Sequence, residues 1–339
     1  MTSRVDDRAR AVAQQRPWRE RLVRLGRRYG LQIGIVSVFL AIWAFFIIGA
    51  PGTFLSPQIY AAYMSTIPFF AIMALPLTMA VIAGEMDLSF PSIMAVAVLV
   101  FCTVFEQTGS PMLAMVPCLI VGFVAGLLNG VVVVRLGIPS LVATIGTQFF
   151  WRGVVLVVTG GNPASLVPLK RTVFRQLLVG RVGGYLPAQM IWMVVVAALV
   201  WTFLNRHKFG AHVYLTGDNA DSARLMGVGV DRTRMMVFAV VGLAAAFAGV
   251  LASLEVNYFW VTLGEGYLMR TLAAVFLGGT SVFGGTGSVL GTFIGCLIIG
   301  AIEAGTVAIG LTGFWTQLIY GLIIVLSVSM HALVSRRLA

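Results

Sequence analysis

The sequence predicts an all-α fold: one polytopic bundle of transmembrane helices. Three observations carry this. The 339 residues are 59% hydrophobic and only 10% charged, whereas soluble domains carry about 25% charged residues. Between Tyr29 and Gly84 there is no Asp, Glu, Lys or Arg, and further uncharged runs cover 107 to 134, 182 to 205, 235 to 254, 271 to 302 and 304 to 335. Each run can hold at least one helix of the roughly 20 residues a bilayer requires. The runs are continuous, whereas a membrane β-barrel would alternate apolar and polar residues over segments of about ten.

The chain opens on a basic segment, 1–30, in which nine of the 23 Lys and Arg fall between Arg4 and Arg28. Followed at once by an apolar run, these cations read as a cytoplasmic flank and not as a nucleic-acid surface. The run from Leu31 to Ala50 is too long for a signal-peptide core and lacks a convincing cleavage site, so it is expected to be retained. Arg16 to Arg28 either lies on anionic lipid or is a solvated charge run.

A single membrane domain, 31–335, then holds about ten spans, near 31–49, 59–83, 90–105, 113–134, 140–159, 188–205, 235–254, 268–284, 287–304 and 313–334, with a tail at 336–339. Both termini are expected inside. Arg135, the group Arg206, Lys208, Arg224, Arg232 and Arg234, and the pair Arg336 and Arg337 then lie on the cytoplasmic side, as the positive-inside rule asks. The loop from Gly160 to Pro187 dissents, with Lys170, Arg171, Arg175 and Arg181 outside. Those cations either steer an acidic partner or touch lipid headgroups.

Gly122, Gly126 and Gly130 recur at every fourth residue, as do Gly287, Gly291 and Gly295, and such stripes let helices approach closely. Cys102, Cys118 and Cys296 show no metal-ligand spacing and read as small buried residues. A bridge between Cys102 and Cys118 is conceivable across the intervening loop, but two cysteines make no disulfide framework. Glu303, alone in an apolar stretch, is expected to reach the interface.

Two segments break the hydrophobic pattern. Gly84-Glu85-Met86-Asp87-Leu88-Ser89-Phe90-Pro91-Ser92 sets two carboxylates among helix breakers, and a carboxylate at membrane depth costs at least about 2.5 kcal/mol on insertion scales. It is either a capped interfacial turn, with Asp87 capping a helix that starts at Leu88, or a broken helix beside the translocation path, with Glu85, Asp87 and Ser89 bordering it. The second segment, the loop 206–234, contains Gly217-Asp218-Asn219-Ala220-Asp221-Ser222-Ala223-Arg224-Leu225-Met226-Gly227. It predicts a short helix capped near Asp218 or Asn219 and ended at Gly227, shaped to enter a groove on a cytoplasmic partner or to lie on lipid.

Asp221-Ser222-Ala223, three residues, then Gly227 resembles the Glu-Ala-Ala, three residues, Gly core of the coupling loop of ABC importer permeases. Gly84 to Ser92 resembles the Gly-Gly-Ile-Asp-Leu-Ser-Val-Gly-Ser segment of ribose, xylose and arabinose-type permeases, with Glu85 and Met86 replacing Gly and Ile. Further similar segments are Gly126-Leu127-Leu128-Asn129-Gly130, Leu136 to Ser140, Gly146-Thr147, Trp151-Arg152-Gly153, Gly278 to Ser281 and Gly284 to Gly291. The resemblance covers most of the chain from residue 60 on.

It implies a permease subunit in the bacterial inner membrane that imports a monosaccharide or related polyol. It further implies a second permease copy, identical or related, an external sugar-binding protein, and an ATPase subunit with two nucleotide-binding modules. No Gly-rich loop ending in Gly-Lys-Ser/Thr occurs in the chain, so ATP is expected on the partner. The chain itself is then no enzyme and needs no cofactor or metal. Coupling to the ATPase is expected of Asp218, Asp221, Ala223, Arg224 and Gly227; substrate contact of Asn129, Thr147, Gln148 and Asn257; binding-protein docking of Lys170, Arg171 and Arg175. Rival readings are a permease for branched-chain amino acids or nucleosides, and an ion-coupled secondary transporter using Glu85, Asp87 and Glu303. A membrane enzyme is disfavoured, because His207, His212 and His331 show no ligand spacing.

Overall fold

A computed structural model describes residues 34–338; the basic segment 1–30 lies outside the described residues. In chain order the elements are α1 (Gly34–Gly49), α2 (Pro51–Phe54), α3 (Pro57–Ile82), α4 (Phe90–Thr108), α5 (Pro111–Leu136) and α6 (Ser140–Thr159). An irregular excursion follows, made of β1 (Ala164–Ser165), a 3-10 turn (Val167–Arg171), α7 (Val173–Val179), β2 (Arg181–Val182) and β3 (Leu186–Pro187). The second half holds α8 (Ala188–Arg206), α9 (Lys208–Asp218), α10 (Ala220–Leu225), α11 (Val230–Val256), β4 (Tyr258–Phe259), a 3-10 turn (Glu265–Tyr267), α12 (Leu268–Leu277), α13 (Val289–Ala308) and α14 (Phe314–Leu338).

Helix ends follow local chemistry. Proline opens α3, α5 and α2, where its missing N–H costs nothing. Left-handed glycines Gly109, Gly137 and Gly160 close α4, α5 and α6. Pro68 and Pro76 sit inside α3 without ending it, as membrane helices tolerate when neighbours enclose the weakened backbone.

Seven helices (α3, α4, α5, α6, α8, α11 and α13) are long and apolar enough to cross a bilayer, and two shorter apolar helices, Gly34–Gly49 and Phe314–Met330, accompany them. The protein is thus an all-α polytopic bundle. Its centre is α3, whose most apolar window is 94% buried against 17% for α6; a helix apolar on all sides belongs in the core. Around α3 pack α8, α11, α12 and α13, and α5 lies against α11.

The eighth predicted span, 268–284, is corrected. The helix α12 has ten residues, about 15 Å at 1.5 Å per residue, half of what a bilayer needs. It stops because Gly278 and Gly279 follow, Gly279 with φ 81°, and the chain runs non-helically to Ser288. All three cysteines are free and buried, so no bridge joins Cys102 and Cys118.

The two glycine stripes lie at crossings. A methyl group at Gly122 would stand 2.6 Å from the Gly242 carbonyl oxygen, and one at Gly126 would overlap the carbonyl of Phe238, both on α11. Gly291 and Gly295 likewise press α13 onto the carbonyls of Gly278 and Ala274 at the end of α12. Backbone-to-backbone contact of this kind is what small residues permit in lipid, where dispersion must do what water exclusion does elsewhere. Gly126→Leu should therefore separate α5 from α11 and cost several kcal/mol, since even tolerated overpacking costs about 1–3 kcal/mol. Size-exclusion profiles in detergent should show loss of the monodisperse peak, and an unchanged profile would contradict the crossing.

Candidate functional site

Residues 83–89 form a break between α3 and α4. Gly84 takes φ 83°, a left-handed conformation that halts α3. The following residues run along α6: Met86 N–H donates to Ser140 Oγ at 3.1 Å and Thr144 Oγ1 donates to the Met86 carbonyl at 3.3 Å. Five residues later the Pro91 carbonyl faces Arg152 Nη2 at 3.5 Å. Ser140 and Arg152 are about 18 Å apart along the α6 axis, so the break climbs through much of a leaflet, less the reach of the Arg152 side chain.

Most of its polar groups find partners within the bundle. Glu85 is buried and pairs with Arg234, at the start of α11, at 3.0 Å. Asp87 Oδ1 accepts from the Ser89 N–H at 2.8 Å and from Ser89 Oγ at 2.7 Å, and Asn129 Nδ2 of α5 donates to Ser89 Oγ at 2.5 Å. The helix begins at Phe90, with Ser89 as its N-cap, so the expectation that Asp87 caps a helix at Leu88 is corrected. Asp87 holds the cap residue instead. Asp87 Oδ2, Ser92 Oγ and Asn129 Oδ1 are buried without a hydrogen-bond partner among the described residues.

The cytoplasmic-loop motif folds as a compact unit. Asn219 Oδ1 accepts from the Ser222 N–H at 2.9 Å and starts α10; Gly227, at φ 79°, ends the turn, while the Val228 N–H reaches the Ala223 carbonyl at 3.0 Å. Ala223 is fully buried against Val228 and Val230. Arg224 is exposed and bridges Asp221 and Asp231 at 3.1 Å each, tying α10 to α11, and Asp218 and Asp221 remain in solvent. Leu225 is 91% exposed and Met226 62%, two apolar side chains left uncovered by the described residues.

Beneath this unit three distant segments cross. Gly217, in α9, packs so tightly that a methyl group there would overlap the Ile82 carbonyl oxygen and lie 2.7 Å from Gly285 N. Gly285 N–H itself donates to Ile82 O at 2.9 Å, and Tyr214 Oη donates to the Gly287 carbonyl at 2.9 Å. The end of α3, the end of α9 and the loop 278–288 thus share one junction.

A second anchor was not anticipated. Arg152 of α6 donates to the carbonyls of Val261 and, at 2.9 Å, Leu263, and its Nε lies 3.5 Å from Glu265. Gly264 packs against the Pro91 carbonyl, so the stretch 258–267 and the start of α4 meet under this guanidinium. A planar fork with five donors is suited to several carbonyls at once.

The remaining predicted residues scatter. Thr147 Oγ1 bonds back to Thr144 O within α6 at 3.3 Å, and Thr147 and Gln148 are half-buried. Asn257 closes α11 in a left-handed conformation at φ 56°, its carbonyl accepting from Leu166 N at 3.0 Å. Asparagine serves there because it tolerates that region. Lys170 and Arg171 are exposed, and Arg175 is half-buried, its Nε donating to Leu254 O at 3.1 Å, a cation at the C-terminus of α11. Glu303, expected at the interface, pairs with Arg270 of α12 at 2.7 Å.

A family model described as branched-chain amino acid transport system / permease component matches residues 59–328. The autoinducer 2 import system permease protein LsrC of Enterobacter sp. (strain 638) is 32% identical over 296 residues, covering 85% of this chain and 84% of its own length. The LsrC protein of Salmonella typhi is 32% identical over 85% of this chain and 82% of its own length, and that of Yersinia pestis (strain Pestoides F) 30% identical over 80% and 76%. No solved structure matches the chain.

Proposed function

Because the chain belongs to this family of transport-system permease components and is a multi-pass inner-membrane protein, we propose that it is the path-forming subunit of an ABC importer for a monosaccharide or related polyol. A separate ATPase with two nucleotide-binding modules drives it, a second permease copy completes the path, and an external binding protein delivers the substrate. The relatives named for autoinducer 2 import make that compound a candidate cargo. The family description keeps branched-chain amino acids as the second reading.

In this reading the chain makes ten crossings with both termini inside. The eighth is composite: the stretch 258–267 enters from outside and α12 completes the passage. Arg135, Arg206, Lys208, Arg232 and Arg234 then share the cytoplasmic side with the Gly217 junction. Asp87, Ser89 and Asn129 hold the break that borders the path, with Thr147 and Gln148 as uncharged hydrogen-bonding groups nearby on α6. Lys170 and Arg171 face the binding protein.

The observation that carries the proposal is α10, a capped helix that with its C-cap residue presents Leu225 and Met226 to solvent above a junction with the end of α3 and the loop 278–288. Closure of the ATPase on ATP pushes α10; Arg224, held by Asp231, carries the push to α11, and Gly217 carries it to α3. Purification in mild detergent should recover the ATPase with the wild-type chain. Leu225→Asp should weaken that association by at least ten-fold, since a fully buried leucine contributes about 1.5–3 kcal/mol. Equal recovery with both chains would refute α10 as the coupling helix, and absence of any ATPase from the wild-type preparation would move the reading to a secondary transporter.

A further inference from the structure

A cavity of about 880 Å³ lies between α3, α8 and α11 and opens sideways from the bundle. Pro76 and Met79 of α3 form its floor, Leu199 and Phe203 of α8 one wall, and Val240 and Leu243 of α11 the other. Leu199, Phe203 and Leu243 are at least one-third exposed, so the mouth of the cavity meets hydrocarbon. At one end Trp192 and Phe247 close it, edge to face at 5.4 Å between ring centroids.

The other end is basic. Lys208 and Arg232 line it with His212 beside them, and neither cation forms an ion pair among the described residues. Helix α9 starts here, adding the positive pole of its dipole. From Trp192 to Arg206 the chain rises about 21 Å along α8 before His207 breaks the helix, against about 15 Å for half a hydrocarbon core. An apolar slot longer than one leaflet, with unpaired cations at its interfacial end, has the dimensions and polarity of a lipid: an acyl chain along the slot and an anionic headgroup at the base. Basic pockets between membrane helices bind such headgroups.

We propose that this slot is a binding site for one anionic phospholipid, with its acyl chain between α8 and α11 and its phosphate at Lys208 and Arg232. A sugar does not suit the slot, because its walls offer almost no hydrogen-bonding side chains above Thr233. The lipid acts as a wedge at the root of α9, the helix that ends in the Gly217 junction. The inference rests on the membrane setting alone and holds whatever the transported compound is.

The test is native mass spectrometry of the full chain released from nanodiscs of phosphatidylcholine containing a minor fraction of phosphatidylglycerol. The wild type should retain about one phosphatidylglycerol per chain. Each cation at the membrane surface favours an anionic lipid by roughly five-fold, so the Lys208→Gln/Arg232→Gln chain should bind it about thirty-fold more weakly. Lys208→Arg/Arg232→Lys should retain it, and Leu199→Trp should displace it by filling the slot. Both lysine and arginine sites are exposed, so these variants should leave the elution profile intact. Equal retention by wild type and Lys208→Gln/Arg232→Gln would overturn the site. So would Leu199→Cys cross-linking to a second protein chain, which would make the slot a protein interface.

Discussion

Gly217→Ala should abolish uptake in a strain whose substrate supply depends on this chain, while α10 still binds its partner. The added methyl group would overlap the Ile82 carbonyl oxygen and lie 2.7 Å from Gly285 N, both backbone atoms that cannot swing aside. Gly217 does not occupy a positive-φ conformation, so alanine brings no backbone strain of its own and the whole effect comes from contact. Either α9 lifts from the end of α3 or the Gly285 to Ile82 hydrogen bond opens. Overpacking costs about 1–3 kcal/mol and a lost backbone bond about 1 kcal/mol. The cap at Asn219 and the exposed Leu225 are untouched, so ATPase recovery should match wild type while transport falls by ten-fold or more. Gly266→Ala, where nothing lies within 4 Å of the added group, should leave both unchanged. Normal uptake by Gly217→Ala would show that the junction transmits nothing.

The contrast between Gly217 and the glycines of α5 shows what was legible in the sequence. Gly122, Gly126 and Gly130 repeat at helical spacing, so a tight crossing could be expected, although not that its partner is α11. Gly217 belongs to no every-fourth-residue repeat, its helix holding one other glycine, Gly210, and its reason lies in Ile82 and Gly285, more than sixty residues away on either side. The α10 unit was readable because capping is local: Asn219, Arg224 and Gly227 sit within nine residues. The span 268–284 misled because its composition is uniformly apolar, while the helix stops where the glycines at 278 and 279 let α13 close in. Hydropathy measures burial and cannot distinguish a helix from an extended stretch buried in protein. Asn257 shows the same limit. Its side-chain type suits a polar ligand, but the left-handed end of α11 is what requires it.

Arg152→Ala should be the most destabilising of the single substitutions argued from the site. The motif Trp151-Arg152-Gly153 is visible in the sequence, yet nothing local explains a cation in an apolar helix, where an unpaired charge is costly. Its partners come from two other stretches: the carbonyls of Val261, Leu263 and Pro91, with Glu265 beside them. The carbonyls of Val261 and Leu263 belong to irregular backbone, which membrane depth tolerates only where protein or water satisfies it. Truncation removes the donors from two or three acceptors, at about 1–3 kcal/mol for each that stays dry. The side chain is 12% exposed and Glu265 54%, so water solvates the freed glutamate, and with Pro91 held only at 3.5 Å the two close carbonyls set the loss at about 3 kcal/mol. Arg152→Lys should recover little, because an ammonium is a point donor and the three carbonyls need a fork. Thermal unfolding in detergent should show both variants well below wild type, with Arg152→Lys nearer to Arg152→Ala. Full rescue by lysine would mean that charge alone, through Glu265, holds the stretch 258–267 against α4.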